Sequence, residues 1–313
     1  MKNQLVITND NEIIFGKHKF KVENFDLYYS LFGSERYDLK IKHYPGGFVK
    51  KTYCNYRTFR VPFPRPKERL NRKVEYELTG WELEKYRREK EKESTRRSIN
   101  AIQDLMYLNP QLEYFITLTF DITQVDSSSP EAVYNKLKHF LKNAVQRQGL
   151  QYILIPEYHK KGNKLHFHGA INNAFTLKPS GTYLVEGFKK PMRMAKIKRK
   201  GLLDQIKKEV FNIPDWSCGF STAIELDEQR ERAVGYVLKY LTKELENMEK
   251  YGCFPERPFG RRYFSSKNIE KYPLIELCNY KGSYENINLP EYDNPYNDYR
   301  YKYESNLGRT KIE

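Results

Sequence analysis

Two histidines, His166 and His168, stand two residues apart in the run Lys164–Ile171, read Lys-Leu-His-Phe-His-Gly-Ala-Ile. The run has the pattern of a β-strand, where alternation turns residues i and i+2 to one face. The two imidazoles then point together while Phe167 points away, an arrangement that suits a metal ion. A second strand, Gln151–Tyr158, precedes the histidines, with His159-Lys-Lys-Gly-Asn163 between. A tight hairpin turning at Lys161-Gly162 uses the glycine where φ is positive. That register pairs Lys160 with Asn163 and, counted back, sets Glu157 directly opposite His166, with Cβ atoms about 5 Å apart. Glu157, His166 and His168 thus converge on one face of the sheet. Two imidazoles and one carboxylate, with positions left for water or phosphate, fit Mn²⁺ or Mg²⁺ in a catalytic role. The alternative reading is a plain cross-strand pair between Glu157 and His166. His159 competes as a ligand but sits in the turn, on the wrong parity.

A second group of reactive side chains lies downstream, in Gly235-Tyr-Val-Leu-Lys-Tyr-Leu-Thr-Lys243. Tyr236 and Tyr240 are spaced i and i+4, so on a helix their hydroxyls share a face that Lys243 extends. Val234, Val237, Leu238, Leu241 and Leu245 cluster on the other side. Tyrosines outside the apolar stripe, beside Lys239 and Lys243, put nucleophilic oxygens next to cations that can hold a phosphate. An exposed Tyr/Lys face without chemistry is the other possibility.

The elements that must position these groups follow from the rest of the pattern. Leu83–Leu108 reads as a long helix whose first half, Glu84–Arg97, carries both signs of charge on a solvated face. Glu113–Phe120 is β-branched and aromatic, a buried strand. Ser129-Pro130-Glu131 supplies an N-cap, a proline at the first turn and an acid for a helix to Gln148. Residues 172–200 read as loop with a basic run from Lys189 to Lys200. A short helix is predicted over Leu202–Phe211, a fourth strand over Gly219–Leu226, and a last helix over Glu228–Met248. The order implies an α+β fold, one antiparallel sheet with helices packed on one side. Three regions follow: a basic N-terminal region of unassigned fold (1–80), a central domain (81–270), and a tail rich in Tyr, Asn, Asp and Pro (271–313), expected to be poorly ordered.

With 313 residues the chain can build a proper core. Net charge is +15 and aromatic content 15%, including 26 tyrosines. Such a mixture of cations and flat rings suits a polyanion with bases, since cations neutralise phosphates and rings stack. No run of about eighteen apolar residues exists and the N-terminus lacks a signal-peptide core, so the expectation is a cytoplasmic protein without a membrane. Cys54, Cys218, Cys253 and Cys278 lack the spacing of a disulfide framework or a zinc knuckle.

Taken together, these motifs resemble the HUH endonucleases, and more narrowly the rolling-circle replication initiators (Rep proteins) of single-stranded DNA phages and small plasmids. Phe115-Ile-Thr-Leu-Thr-Phe120 resembles the family's first motif, His166-Phe-His168 its metal motif, and Tyr236–Lys243 its tyrosine motif, in the family's order. Gly260–Ser266 resembles the stretch that often follows the tyrosine helix. The resemblance spans roughly residues 95 to 270. It implies a five-stranded RRM-like sheet with the histidines on its central strand. Only four strands are read above, so the fifth is expected in the N-terminal part. It implies a tyrosinate attack on a phosphodiester of origin single-stranded DNA or an origin hairpin, giving a 5′-phosphotyrosyl enzyme and a free 3′-OH. The metal would be held by His166, His168 and Glu157, and either Tyr236 or Tyr240 would attack first. No Gly-x-x-x-x-Gly-Lys-Ser/Thr loop is present, so a separate helicase and a polymerase are the expected partners. A transposase or relaxase would use the same chemistry. A non-catalytic RRM-like nucleic-acid-binding protein would explain the charge and aromatics but not the His and Tyr motifs together.

Overall fold

The computed structural model describes residues 5–7, 12–15, 18–22, 34–60, 79–126, 129–158, 164–188, 190–251, 259–278, 291–292 and 301–303. The chain divides into two compact units, Thr79–Glu270 on one hand and Met1–Leu78 with Lys271–Glu313 on the other. The N-terminal strands are β1 (Leu5–Ile7), β2 (Glu12–Phe15), β3 (His18–Val22), β4 (Ser34–His43) and β5 (Val49–Arg60). The Thr79–Glu270 unit follows with α1 (Gly80–Leu108), β6 (Tyr114–Thr119), α2 (Pro130–Gln148), β7 (Tyr152–Tyr158) and β8 (Leu165–Ile171). It continues with β9 (Lys178–Val185), β10 (Met192–Arg193), α3 (Met194–Arg199) and β11 (Ile206–Asn212). It ends with β12 (Ser221–Glu225), α4 (Arg230–Tyr251) and β13 (Phe264–Ser265). The chain then returns to the N-terminal sheet with β14 (Leu274–Cys278), β15 (Glu291–Tyr292) and β16 (Tyr301–Tyr303).

That first sheet has the order β1-β2-β3-β14-β4-β5-β16-β15. Strand β14 pairs parallel with β3 and antiparallel with β4. The remainder of the predicted tail, the hairpin turn at Lys161-Gly162 and the competing ligand His159 lie outside the described residues.

The second unit is an α+β layer structure around an antiparallel sheet of eight strands, ordered β10-β9-β11-β12-β6-β8-β7-β13. The histidine strand β8 has β6 and β12 on one side and β7 and β13 on the other. Three expectations need correction. The additional strands do not come from the N-terminal part; β9, β10, β11 and β13 all follow the histidines in sequence. Lys178–Val185 is a strand where a loop is predicted, and Ile206–Asn212 a strand where a helix is predicted. The physical reason lies in their pairing. β11 runs against β9 with register shifts between Ile206 and Lys208 and between Val210 and Phe211. Each bulge breaks the two-residue alternation, so neither strand carries the regular apolar/polar pattern that marks a strand in sequence.

The third correction concerns layers, because helices cover both faces of the sheet. On one face Ile116, Leu118, Leu154, Leu165 and Phe167 pack with Val133, Leu137, Leu141 and Ala144 of α2, all buried. Helix α2 starts as its sequence dictates, with Ser129 accepting from the Ala132 N–H and proline at the first turn. On the other face α4 lies against β8, and α1 packs on α4. The first half of α1 is a ladder of exposed pairs, Arg88–Glu84, Lys90–Glu93 and Lys92–Glu89, while Ile102, Leu105, Met106 and Leu108 at its far end are buried. Surface pairs of this kind contribute little stability; the buried end fixes the helix.

The histidine strand is pinned by one close approach. An ideal Cβ built on Gly169 would lie 1.9 Å from the Ile153 carbonyl oxygen, closer than any methyl can come. Only glycine lets β7 and β8 meet there. Gly169→Ala is therefore expected to destabilise the protein by about 1–3 kcal/mol through forced backbone displacement, read as a lower midpoint in urea unfolding.

Candidate active site

Strand pairing sets the geometry. β7 and β8 pair with Glu157 opposite His166 and Ile155 opposite His168, the register that the hairpin count predicts. On the other side of β8, Thr119 lies opposite His166 and Thr117 opposite His168. Glu157, His166 and His168 each bring a ligand atom to within 4.8 Å of the others. The Glu157 Oε2 atom lies 3.4 Å from His166 Nε2 and 3.1 Å from His168 Nε2. The same Nε2 atoms that face the carboxylate would face an ion held between them.

Thr117 is a site residue that sequence reasoning misses, though it occupies an alternate position of the β6 motif. Its Oγ1 lies 3.0 Å from His168 Nδ1. The hydroxyl can accept from Nδ1–H, and in that tautomer the Nε2 lone pair is left for a metal.

Charge states suit a metal as well. Burial lowers the His168 pKa, against the opposing effect of Glu157, and so favours the neutral imidazole that ligates. For Glu157, burial acts upward, but hydrogen bonds and charge from His166 and His168 outweigh it and hold the carboxyl at about 2. The donor set is thus one carboxylate and two ring nitrogens, a set that fits a divalent ion.

The tyrosine helix lies over this face. Val234, Val237, Leu238 and Leu241 are buried, Leu245 is half-buried, and Tyr236 and Tyr240 are half-buried at the edge of that stripe. The Tyr240 ring stacks on His168, with centroids 4.1 Å apart and planes 10° from parallel. Tyr236 meets Phe115 edge-on at 4.7 Å, and Tyr240 stacks on Phe115 at 6.0 Å. Lys239 Nζ stands 4.8 Å from the Tyr236 ring centre and 5.3 Å from that of Tyr240. Lys243, exposed, continues the helix surface beyond Tyr240. Burial raises the pKa of Tyr236. Burial, then Tyr236 and Glu157, raise that of Tyr240 to about 12.

Arg230 anchors this helix. Its guanidinium donates to the carbonyls of Met106 (Nε, 2.9 Å; also Nη2), Asn109 (2.6 Å) and Leu112 (3.2 Å). It thereby closes the C-terminal end of α1, whose last carbonyls have no partner within the helix, and ties α4 to the lead-in of β6. Asn109 clamps the same corner, donating to the Leu105 and Glu270 carbonyls and accepting from the Glu270 N–H.

Residues 113–245 match the family model of the replication-associated protein ORF2. The match covers less than half of the chain but includes Glu157, His166, His168, Tyr236, Lys239, Tyr240 and Lys243. Over that stretch the chain is similar to a family of replication proteins. No curated protein and no solved structure matches the chain. Among the described residues no helix is long and apolar enough to cross a membrane.

Two outcomes follow from this geometry. Thr117→Val keeps the shape and removes the hydroxyl from His168 Nδ1, and is expected to weaken Mn²⁺ binding about 10- to 100-fold, measured by calorimetry. The second concerns acid stability without metal. Because the folded carboxyl of Glu157 sits below its ordinary 4.5, it stabilises the fold above that pH. This contribution fades as pH falls toward about 2. In EDTA, Glu157→Gln should therefore lose stability relative to wild type at neutral pH, with the difference shrinking below pH 4.5, read as Tm against pH.

Proposed function

We propose that this protein is a metal-dependent endonuclease and strand transferase that nicks single-stranded DNA at a replication origin and rejoins it, initiating rolling-circle replication. The observation that carries the reading is the stacking of Tyr240 on His168, which brings a phenol nucleophile to the cluster of Glu157, His166 and His168. The family match over these same residues supports it.

In the reaction, the tyrosine Oη gives up its proton and attacks the scissile phosphorus. The bond from phosphorus to the 3′ oxygen breaks, and that oxygen takes a proton, leaving a 5′-phosphotyrosyl link and a free 3′-OH. Glu157, His166 and His168 would hold Mn²⁺ or Mg²⁺, which supplies Lewis-acid polarisation of the phosphate. Lys239, over both tyrosine rings, is a cation that would steady charge on the phosphate, and Lys243 offers a second for the DNA backbone. The free 3′-OH primes synthesis by a separate polymerase, with unwinding by a separate helicase. After a round of synthesis the second tyrosine attacks the regenerated site, and the 3′-OH displaces the first link to close the circle.

Geometry favours Tyr240 for the first attack. A helix rises about 6 Å per four residues and a strand about 6.8 Å per two. Helix α4 therefore keeps step with β6: Arg230 at Leu112, Tyr236 at Phe115, Tyr240 at the row of Thr117 and His168. Tyr236 stands one row farther from Glu157.

The test is incubation of the full chain with single-stranded DNA carrying its origin, with Mn²⁺, and detection of DNA-linked protein by denaturing gel. Tyr240→Phe is expected to lower first-cleavage adduct by more than about 1000-fold, while Tyr236→Phe retains it, and EDTA should stop both. Undiminished adduct in the double variant would overturn the nuclease reading; adduct lost only in Tyr236→Phe would reverse the assignment of the two tyrosines.

A further inference from the structure

Phe220 is 78% exposed, the largest exposure among the large apolar side chains of the described residues. Scattered exposed apolar residues are ordinary, but this one is held in place by its backbone. Its carbonyl accepts from the Thr119 N–H at 2.8 Å and from Thr119 Oγ1 at 2.9 Å. The preceding Gly219 has φ +154°, and a Cβ there would lie 2.3 Å from the Thr119 oxygen and 2.6 Å from the Asp121 nitrogen. Glycine alone permits this approach. Asp121 N–H donates to the Cys218 carbonyl at 2.9 Å, and the indole of buried Trp216 donates to the Thr119 carbonyl at 3.0 Å. The backbone beneath the exposed ring is tied down on both sides.

The ring also has a defined side of the sheet. Ser221 turns toward the α2 face, its Oγ accepting from the N–H of buried Ile213 at 2.9 Å. Alternation sends Phe220 to the opposite face, that of Thr117, His166 and His168. In the β12–β6 ladder Ser221 pairs with Leu118, so Phe220 falls opposite Thr119. Thr119 in turn faces His166, and His166 faces Glu157. Phe220, Thr119, His166 and Glu157 form one row across four strands, with the Phe220 backbone about 10 Å, two strand spacings, from that of His166.

We propose that Phe220 is a stacking platform for a base of single-stranded DNA, gripping a nucleotide that flanks the phosphate presented to the Glu157–His166–His168 cluster. The inference rests on the nicking function proposed above and extends it to how the strand is held. A flat ring accepts any base, because every base has a π face. Stacking there orients the chain without reading its sequence, and a fixed backbone leaves only the ring's own torsions to be ordered on binding.

Binding is measured in EDTA, where no cleavage is needed, with fluorescent oligothymidylate and an abasic oligonucleotide of the same length as probes for the full chain. Phe220→Ala is expected to weaken oligothymidylate binding roughly 5- to 100-fold and to leave abasic binding unchanged. Phe220→Trp should retain affinity, with its fluorescence quenched by oligothymidylate and not by the abasic strand. Unchanged oligothymidylate affinity in Phe220→Ala, or an equal loss on both probes, would overturn the platform. Because this readout is independent of cleavage, failure of the nicking test leaves it interpretable, and the reverse holds too.

Discussion

The ladder between β7 and β8, with Glu157 opposite His166, is the constraint on which the rest of the site depends. Side chains alternate along a strand with a period of two, so a slip of one residue would carry Glu157 to the far face, among the apolar contacts of α2. The register is protected by sterics as well as by hydrogen bonds. Gly169 sits against Ile153 with no room for a methyl, and the opposite face of β8 is locked by Phe167, which is fully buried among aromatic and aliphatic neighbours. A polar trio on one side of the strand is thus held in place by a dry core on the other.

The second requirement is that a helix from far downstream arrive in phase with that ladder. Packing of Val237 and Leu241 fixes which side of α4 faces inward, but an apolar stripe tolerates sliding along the helix axis. Arg230 limits sliding. A planar guanidinium donating to three separate carbonyls has few alternative positions, and those carbonyls belong to the end of α1 and the lead-in of β6. Burial lowers the pKa of Arg230 to about 10, yet the group stays charged at neutral pH. Once it is seated, the match between helix rise and strand rise carries Tyr236 and Tyr240 to successive rows of the sheet.

The sequence makes the site more legible than the fold around it. Glu157, His166 and His168 can be brought together by counting, because the hairpin register and the two-residue period leave little freedom. Tyr236 and Tyr240 are recognisable as a shared face by helical spacing alone. Their distance from the apolar stripe, however, does not reveal that they lie half-buried on Phe115 and His168, since that depends on which layer α4 joins. Helices on both faces are equally hidden: Phe167 signals a second apolar side, but nothing local assigns α2 to it. Strands β9 and β11 are obscured by their register shifts, and Pro179 and Gly181 further mask β9. Thr117 and Arg230 act only through long-range contacts, and neither belongs to a short-range pattern.

The electrostatics explain why the proposed nucleophile and the proposed metal site belong together. In the protein alone, the cluster combines an ionised Glu157 with a His168 that burial holds toward neutrality. The trio therefore sets a carboxylate charge against a half-buried phenol. That charge is one of the causes that push Tyr240 up to about 12, so the carboxylate restrains the tyrosine it sits beside. A divalent cation held by the trio would reverse the local sign. The contact that opposes ionisation of Tyr240 would then favour it, because an opposite charge within a few ångström stabilises the charged form. Under the proposed chemistry, Tyr240 would be a poor nucleophile in the metal-free protein and a better one only when the trio is filled. Under that reading, cleavage would be tied to metal occupancy by electrostatics.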